Sequence, residues 1–305
     1  MNAYVALIQR EFLEHRGAFL WSAGILLALV FIAGLMVLRF DATVADLDRH
    51  DREELVEKLG EEGRDVDGLE ALVAMGLDAA GSTDGELDRK MQVFMAIIAM
   101  PFHWIFIAIA FFGLVACMYD ERKDQSVLWW KSMPVSDTAT VLSKWAFICL
   151  CAPVITTIAV WIAQLYSLTV TMAFVEDGMG GRLWGASGVF TYPFRMLFGY
   201  FVYSLWVLPV AAWVMFVATA VPKVPILWAF GLPWSFIVLE GILFESSHLA
   251  RAIAQHMNPI SLPFTDPESY TTIGLFAEPS MWGGLVVGAG LIFGTIWFRG
   301  RNNAI

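Results

Sequence analysis

Six long apolar runs divide the chain: Gly17–Leu38, Met91–Met118, Trp145–Val175, Met196–Pro222, Val224–Leu239 with Glu240 just beyond, and Met281–Phe298. Most reach the roughly 18–20 residues that a helix needs to cross hydrocarbon. The pattern predicts an all-α integral membrane protein with about six spans. It organises the chain as residues 1–40, a polar insert at 41–90, and a second membrane region over 91–305. Polar segments at 119–144 and 245–280 interrupt that second region.

The flanking stretches carry finer patterns. In residues 2–16, Tyr4, Val5, Ile8 and Phe12 form one apolar stripe away from Gln9, Arg10 and Glu14. That predicts a helix lying in the membrane interface, with the first turns of span one as the alternative. Within the insert, Thr43–Glu62 and Gly68–Ala80 read as short helices sharing a seam of Leu47, Leu55, Leu59, Leu69, Leu72 and Leu77. In the later polar segment, Leu249, Ile253 and Met257 share a face that excludes Arg251, Gln255 and His256, as in a surface helix. Pro259, Pro263 and Pro267 then forbid regular structure.

Composition sharpens the membrane reading. Of the 305 residues 58% are hydrophobic, above the 45–50% typical of soluble domains. The first run is longer than a signal-peptide core and lacks an Ala-x-Ala site, so it reads as a retained helix. The net charge is −10, concentrated in the insert, which argues against nucleic acid as a partner. Arg10, Arg16, Arg122, Lys123, Lys131, Lys144, Lys223, Arg299 and Arg301 fall in the short segments of one side. The positive-inside bias therefore predicts cytoplasmic termini, a cytoplasmic 119–144 and an outer insert.

The missing chemistry is equally informative. No lysine follows a glycine, so a Gly-Lys-Ser/Thr phosphate loop is absent. His-Glu-x-x-His is absent too, and of the five histidines only His103 lies inside an expected span. No catalytic residue, cofactor or metal is expected on this chain. "GASG" at 185–188 fits the serine motif of intramembrane rhomboid proteases, but it precedes a span, and the last span holds no histidine base. "DVDG" at 65–68 lacks the spacing and closing glutamate of a calcium loop. Cys117, Cys149 and Cys151 lie in expected spans and form no disulfide framework. His103 and Glu240 are the titratable groups closest to membrane depth. They read either as pathway residues or, more plainly, as a helix–helix contact and a wet interfacial acid.

The stretch "YDERKDQSVLWWKSMPVSDTATVLSK" at 119–144 holds two tryptophans, a proline and clustered charges between two spans. Read as a helix over 124–133, it gathers Ser126, Val127, Trp129, Trp130 and Met133 on one wide face. Pro134 would stop that helix and Ser136 would cap the next. The stretch resembles the cytoplasmic segment of type-2 ATP-binding-cassette (ABC) exporter permeases, which run from a Tyr/Glu-Arg start through Leu/Met-Pro-Val-Ser to a Ser-Lys entry. "LIQREFLEHRGAFLW" at 7–21 is similar to their N-terminal elbow helix.

That resemblance implies a coupling helix at 124–133, with Glu121, Arg122 and Lys123 as its approach and Trp129, Trp130, Met133 and Pro134 as its core. It also implies a partner ATPase subunit in two copies holding ATP and Mg, and a second permease copy or homologue in the lipid bilayer. The location it implies is a bacterial inner membrane. The large acidic insert and the proline-rich outer segment depart from a minimal member. The alternative is a non-transporting membrane anchor or signalling subunit working through the acidic insert.

Overall fold

A computed structural model of the chain describes residues 3–45, 84–125, 132, 135–173, 179–257 and 272–301. Among the described residues the chain is all-helical, with no strand. Five helices are long and apolar enough to cross a membrane, and a bent pair makes a sixth if its halves count as one span. Large apolar side chains point outward along these helices: Trp21 and Phe194 are each 75% exposed. A water-soluble domain would hide them; the arrangement is compatible with a multi-pass membrane protein.

The first helix, α1 (Ala3–Ala45), runs unbroken for 43 residues. At about 1.5 Å per residue it is roughly twice as long as hydrocarbon is thick. The interfacial elbow expected at 2–16 is thus no separate element but the first turns of α1. No proline interrupts the stretch, and one glycine, Gly17, costs only about 1 kcal/mol. Helix α2 (Asp84–Lys123) tolerates Pro101 in its interior. The flanks of the expected insert, 41–45 and 84–90, therefore belong to α1 and α2. Its short helices, leucine seam and "DVDG" turn fall mainly on 46–83, outside the described residues.

The third long element is α3 (Asp137–Ala146), a π turn (Phe147–Cys151) and α4 (Ala152–Met172). The turn is marked by the Ala152 amide, which donates to the carbonyl of Phe147, five residues back. After α5 (Met179–Ser187), α6 (Tyr192–Trp206) meets α7 (Leu208–Ala220) in the bent pair, at 59°. The run Met196–Pro222, expected as one span, is bent here. Pro209 has no amide to continue the ladder, and its ring crowds the carbonyl four residues back. Next come α8 (Pro225–Phe244), α9 (His248–Met257), a short 3₁₀ turn (Thr272–Ala277) and α10 (Pro279–Arg301).

The described residues form two compact units, one drawn from 1–21, 103–157 and 195–305, the other from 22–102 and 158–194. The second unit packs around Leu87, Met91, Met95, Leu168 and Leu183. Its buried Gln164 donates its side-chain NH2 to the Met95 carbonyl at 3.0 Å, giving that donor a partner inside the unit.

In the first unit α7 packs along α10. The contact is close because α10 offers glycines: a Cβ on Gly288 would meet the Leu208 side chain at 2.6 Å, and one on Gly284 the His256 ring at 2.5 Å. The His256 ring stacks on Trp206, centroids 5.2 Å apart. On α9 the expected polar residues Arg251 and Gln255 are exposed, but His256 is buried, while Leu249 and Met257 of the apolar face are exposed as well. An imidazole fits over a glycine and against an indole where a branched side chain would not.

Candidate functional site at the ends of the 124–136 segment

The residues on either side of this segment converge on one buried cluster, all of it within the first unit. Glu121, at the end of α2, and Glu11, on α1, are both buried, and Lys144 lies between them with no exposed surface. The Lys144 ammonium is 3.1 Å from a Glu11 oxygen and 3.0 Å from a Glu121 oxygen. Arg10 reaches the same two carboxylates, at 2.8 Å from Glu11 and 2.6 Å from Glu121. Arg299, from the last turn of α10, donates to Glu121 at 2.8 Å and to Asp137 at 3.0 Å. Asp137 opens α3.

At its centre three acids (Glu11, Glu121, Asp137) balance three bases (Arg10, Lys144, Arg299), and the exposed Glu14 adds a further carboxylate 3.0 Å from Arg10. Neutrality matters because removing charges from water costs several kcal/mol per ion unless partners surround each one. Every carboxylate here meets a cation, and Glu121 meets three. Such a cluster adds little net stability over an apolar core, but removing one member leaves a buried charge uncompensated. It specifies which helix ends meet.

Local geometry fixes the segment at both ends. On the entry side, Asp124 and Gln125 close α2, with Gln125 in the left-handed region at φ 58°, a common way for a helix to end. The helix expected over 124–133 therefore does not begin at 124, because these two residues terminate α2. Next to Glu121, Arg122 donates to the carbonyls of Ala218, at 2.8 Å, and Val221. Those are orphan acceptors at the end of α7. On the exit side, the Ser136 hydroxyl accepts from the Ala139 amide at 3.1 Å, the expected cap. Asp137 adds a negative charge at the positive end of α3.

The site residues read from the sequence have different fates. Glu121 is at the centre of the cluster and Arg122 caps α7, while Lys123 is exposed. Trp129, Trp130, Met133 and Pro134 lie outside the described residues. His103 is buried and stacks on Tyr200 at 5.6 Å, the helix-contact alternative. Glu240 caps α9: its carboxylate accepts from the Ser246 hydroxyl at 2.7 Å and from the amides of His248 and Leu249 at 2.8 and 2.9 Å. Ser187 of "GASG" donates to the Trp184 carbonyl at 2.8 Å, an ordinary bond at the end of a helix.

Sequence reading missed Glu11 and Asp137 as partners and used Arg10, Lys144 and Arg299 only to orient the chain. The available signal was one charge of each sign at several helix ends, next to apolar runs that offer no water. Glu11, Glu14 and His15 have ligand-type atoms within 4.8 Å of one another. Glu11 is already neutralised by Lys144 and Arg10, so the trio does not read as a metal centre. The chemistry of the site is mechanical: it joins the 124–136 segment to the ends of α1, α7 and α10. No family model, curated protein or solved structure matches this chain.

Proposed function

We propose that the chain is the membrane-spanning permease subunit of an ATP-driven exporter of the type-2 ABC kind, with 124–136 as the segment that a separate ATPase subunit grips. The carrying observation is the anchoring of that segment at both ends. Glu121 and Arg122 before it, and Ser136, Asp137 and Lys144 after it, are bonded to neighbouring helices or to their own helix start. A force applied between those ends passes to α1, α7 and α10 rather than dissipating in a slack loop. The tryptophan pair and the Met-Pro-Val-Ser sequence within the segment support the same reading, as does the lack of a phosphate loop. On this reading the termini are cytoplasmic, the membrane is the bacterial inner membrane, and the working assembly pairs two permeases with two ATPases.

The test is retention of the ATPase on a tagged permease in detergent. Aromatic anchors at interface centres typically cost about 2 kcal/mol when cut to alanine, roughly thirtyfold in affinity. Trp129→Ala with Trp130→Ala should release the ATPase and abolish transport. Lys131→Ala, on the opposite face of the expected helix, should do much less. Full retention by the double variant, or phosphate release by the purified chain alone, would overturn the assignment.

A further inference from the structure

An apolar pocket of about 120 Å³, open on one side, lies in the first unit among α2, the π turn, α6 and α7, with Pro153 and Met257 also in its wall. Phe106, Phe111, Leu114, Ile148, Tyr203 and Val214 form much of its wall, and carbon lines nearly all of it. The Ser204 hydroxyl at its edge already donates to the Phe201 carbonyl of its own helix, at 2.7 Å. Water would find too few partners there. Apolar protein cavities of about 150 Å³ stay dry and take up benzene or xenon.

The placement of the cavity is informative as well. Ile148 and Cys149 belong to the π turn, and Val207 is the residue between α6 and α7 at their break; all three line the space. Two departures from regular helix therefore border one cavity. Irregular backbone at membrane depth is tolerated where it is buried in protein or lines a cavity, and π turns recur at functional sites. A packing defect would give no reason for both to meet here.

We propose that this cavity is a binding site for an uncharged hydrocarbon group of about benzene's size, either an aromatic ring or the end of an alkyl chain. The site stands independently of the ATPase assignment. Its occupant also bears on the segment described above, because the π turn begins three residues after Lys144, on the same continuous rod. Filling the cavity holds that turn and the α6–α7 break in their present form.

The full chain in lipid nanodiscs tests this with a benzene-sized photoreactive probe, trifluoromethyl-phenyldiazirine, and mass-spectrometric mapping of the carbene adducts. Leu114 and Val214 are buried and line the pocket, so label reaches them through it. Their labelling should saturate with probe concentration and fall at least fivefold with excess toluene. Met215 and Ala218, fully buried on α7 but not in the cavity wall, should stay unlabelled.

Ala110→Leu, which adds carbons into the cavity, should cut labelling of Leu114 and Val214 likewise. The milder Val210→Ile serves if that variant does not purify as a single species. Native mass spectrometry of the same samples assigns the source. A retained lipid displaced by the probe identifies an acyl chain, and no retained lipid identifies a free apolar compound. Label on Leu114 and Val214 no greater than on Met215 and Ala218, or unchanged by toluene and by both filling variants, overturns the site.

Discussion

The Lys144 ammonium has no exposed surface and stands between the Glu11 and Glu121 carboxylates. Lys144→Met would leave the buried Glu11 and Glu121 carboxylates without the cation that stands between them. Breaking a buried pair from one side costs about 3–5 kcal/mol, so a large drop in thermal stability in detergent is expected. Lys123→Met, at an exposed neighbouring position, should change stability by less than about 0.5 kcal/mol. Adding Glu11→Gln to Lys144→Met should recover part of the loss, since it removes the orphaned charge. A double variant as unstable as the sum of the two singles would mean that the residues are not coupled. The sequence showed each of these charges but not their pairing. Glu11 and Lys144 are 133 positions apart, and helical periodicity carries no information about contacts at that range.

At the level of elements, the apolar runs were legible because hydrocarbon demands length and lack of charge, which are read directly from composition. The Ser136 cap was legible too, because capping needs only a hydroxyl at the right step before a helix. The π turn at 147–151 was not, because it falls within a run that is apolar on every face, so no periodicity exists to be disturbed. The break at Val207 had a visible mark in Pro209, which the reading of Met196–Pro222 as a span passed over. The glycines of α10 were likewise silent, since a glycine in an apolar run marks either close packing or nothing. Gly288 now has a definite role. A Cβ there meets Leu208 side-chain atoms at 2.6 and 2.9 Å and its backbone carbon at 3.2 Å. The side chain has some freedom to move; the backbone has little. Gly288→Val should therefore push α7 off α10 and destabilise the chain by about 1–3 kcal/mol, the usual range for overpacking. Gly290→Val, where a Cβ would meet nothing within 4 Å, is the matched control. Equal melting temperatures for the two variants would show that the close approach is not maintained in the protein.

At the scale of the whole molecule, the cluster brings Arg10 and Glu11, the two ends of the 124–136 segment and Arg299 to one place. The N-terminal turns, the ends of that segment and the end of α10 therefore meet at one place, as six crossings with the bent pair counted as one would require. The 43 residues of α1 amount to roughly 65 Å at about 1.5 Å per residue, more than hydrocarbon thickness. Arg10, Lys144 and Arg299 all belong to the cluster, and on the proposed reading the positive-inside bias puts that place in the cytoplasm. The orientation can be read by single cysteines at Ser82→Cys and Ser132→Cys, in a background without Cys117, Cys149 and Cys151. Ser132 is exposed, so accessibility there is set by the membrane rather than by burial. An impermeant maleimide added to intact spheroplasts should modify the cysteine at 82 and spare the one at 132 until the membrane is opened. The reverse pattern would place the 124–136 segment outside, where no ATPase reaches it. The gripping role proposed for Trp129 and Trp130 would then fail, although the charge cluster and its anchoring of the segment would stand.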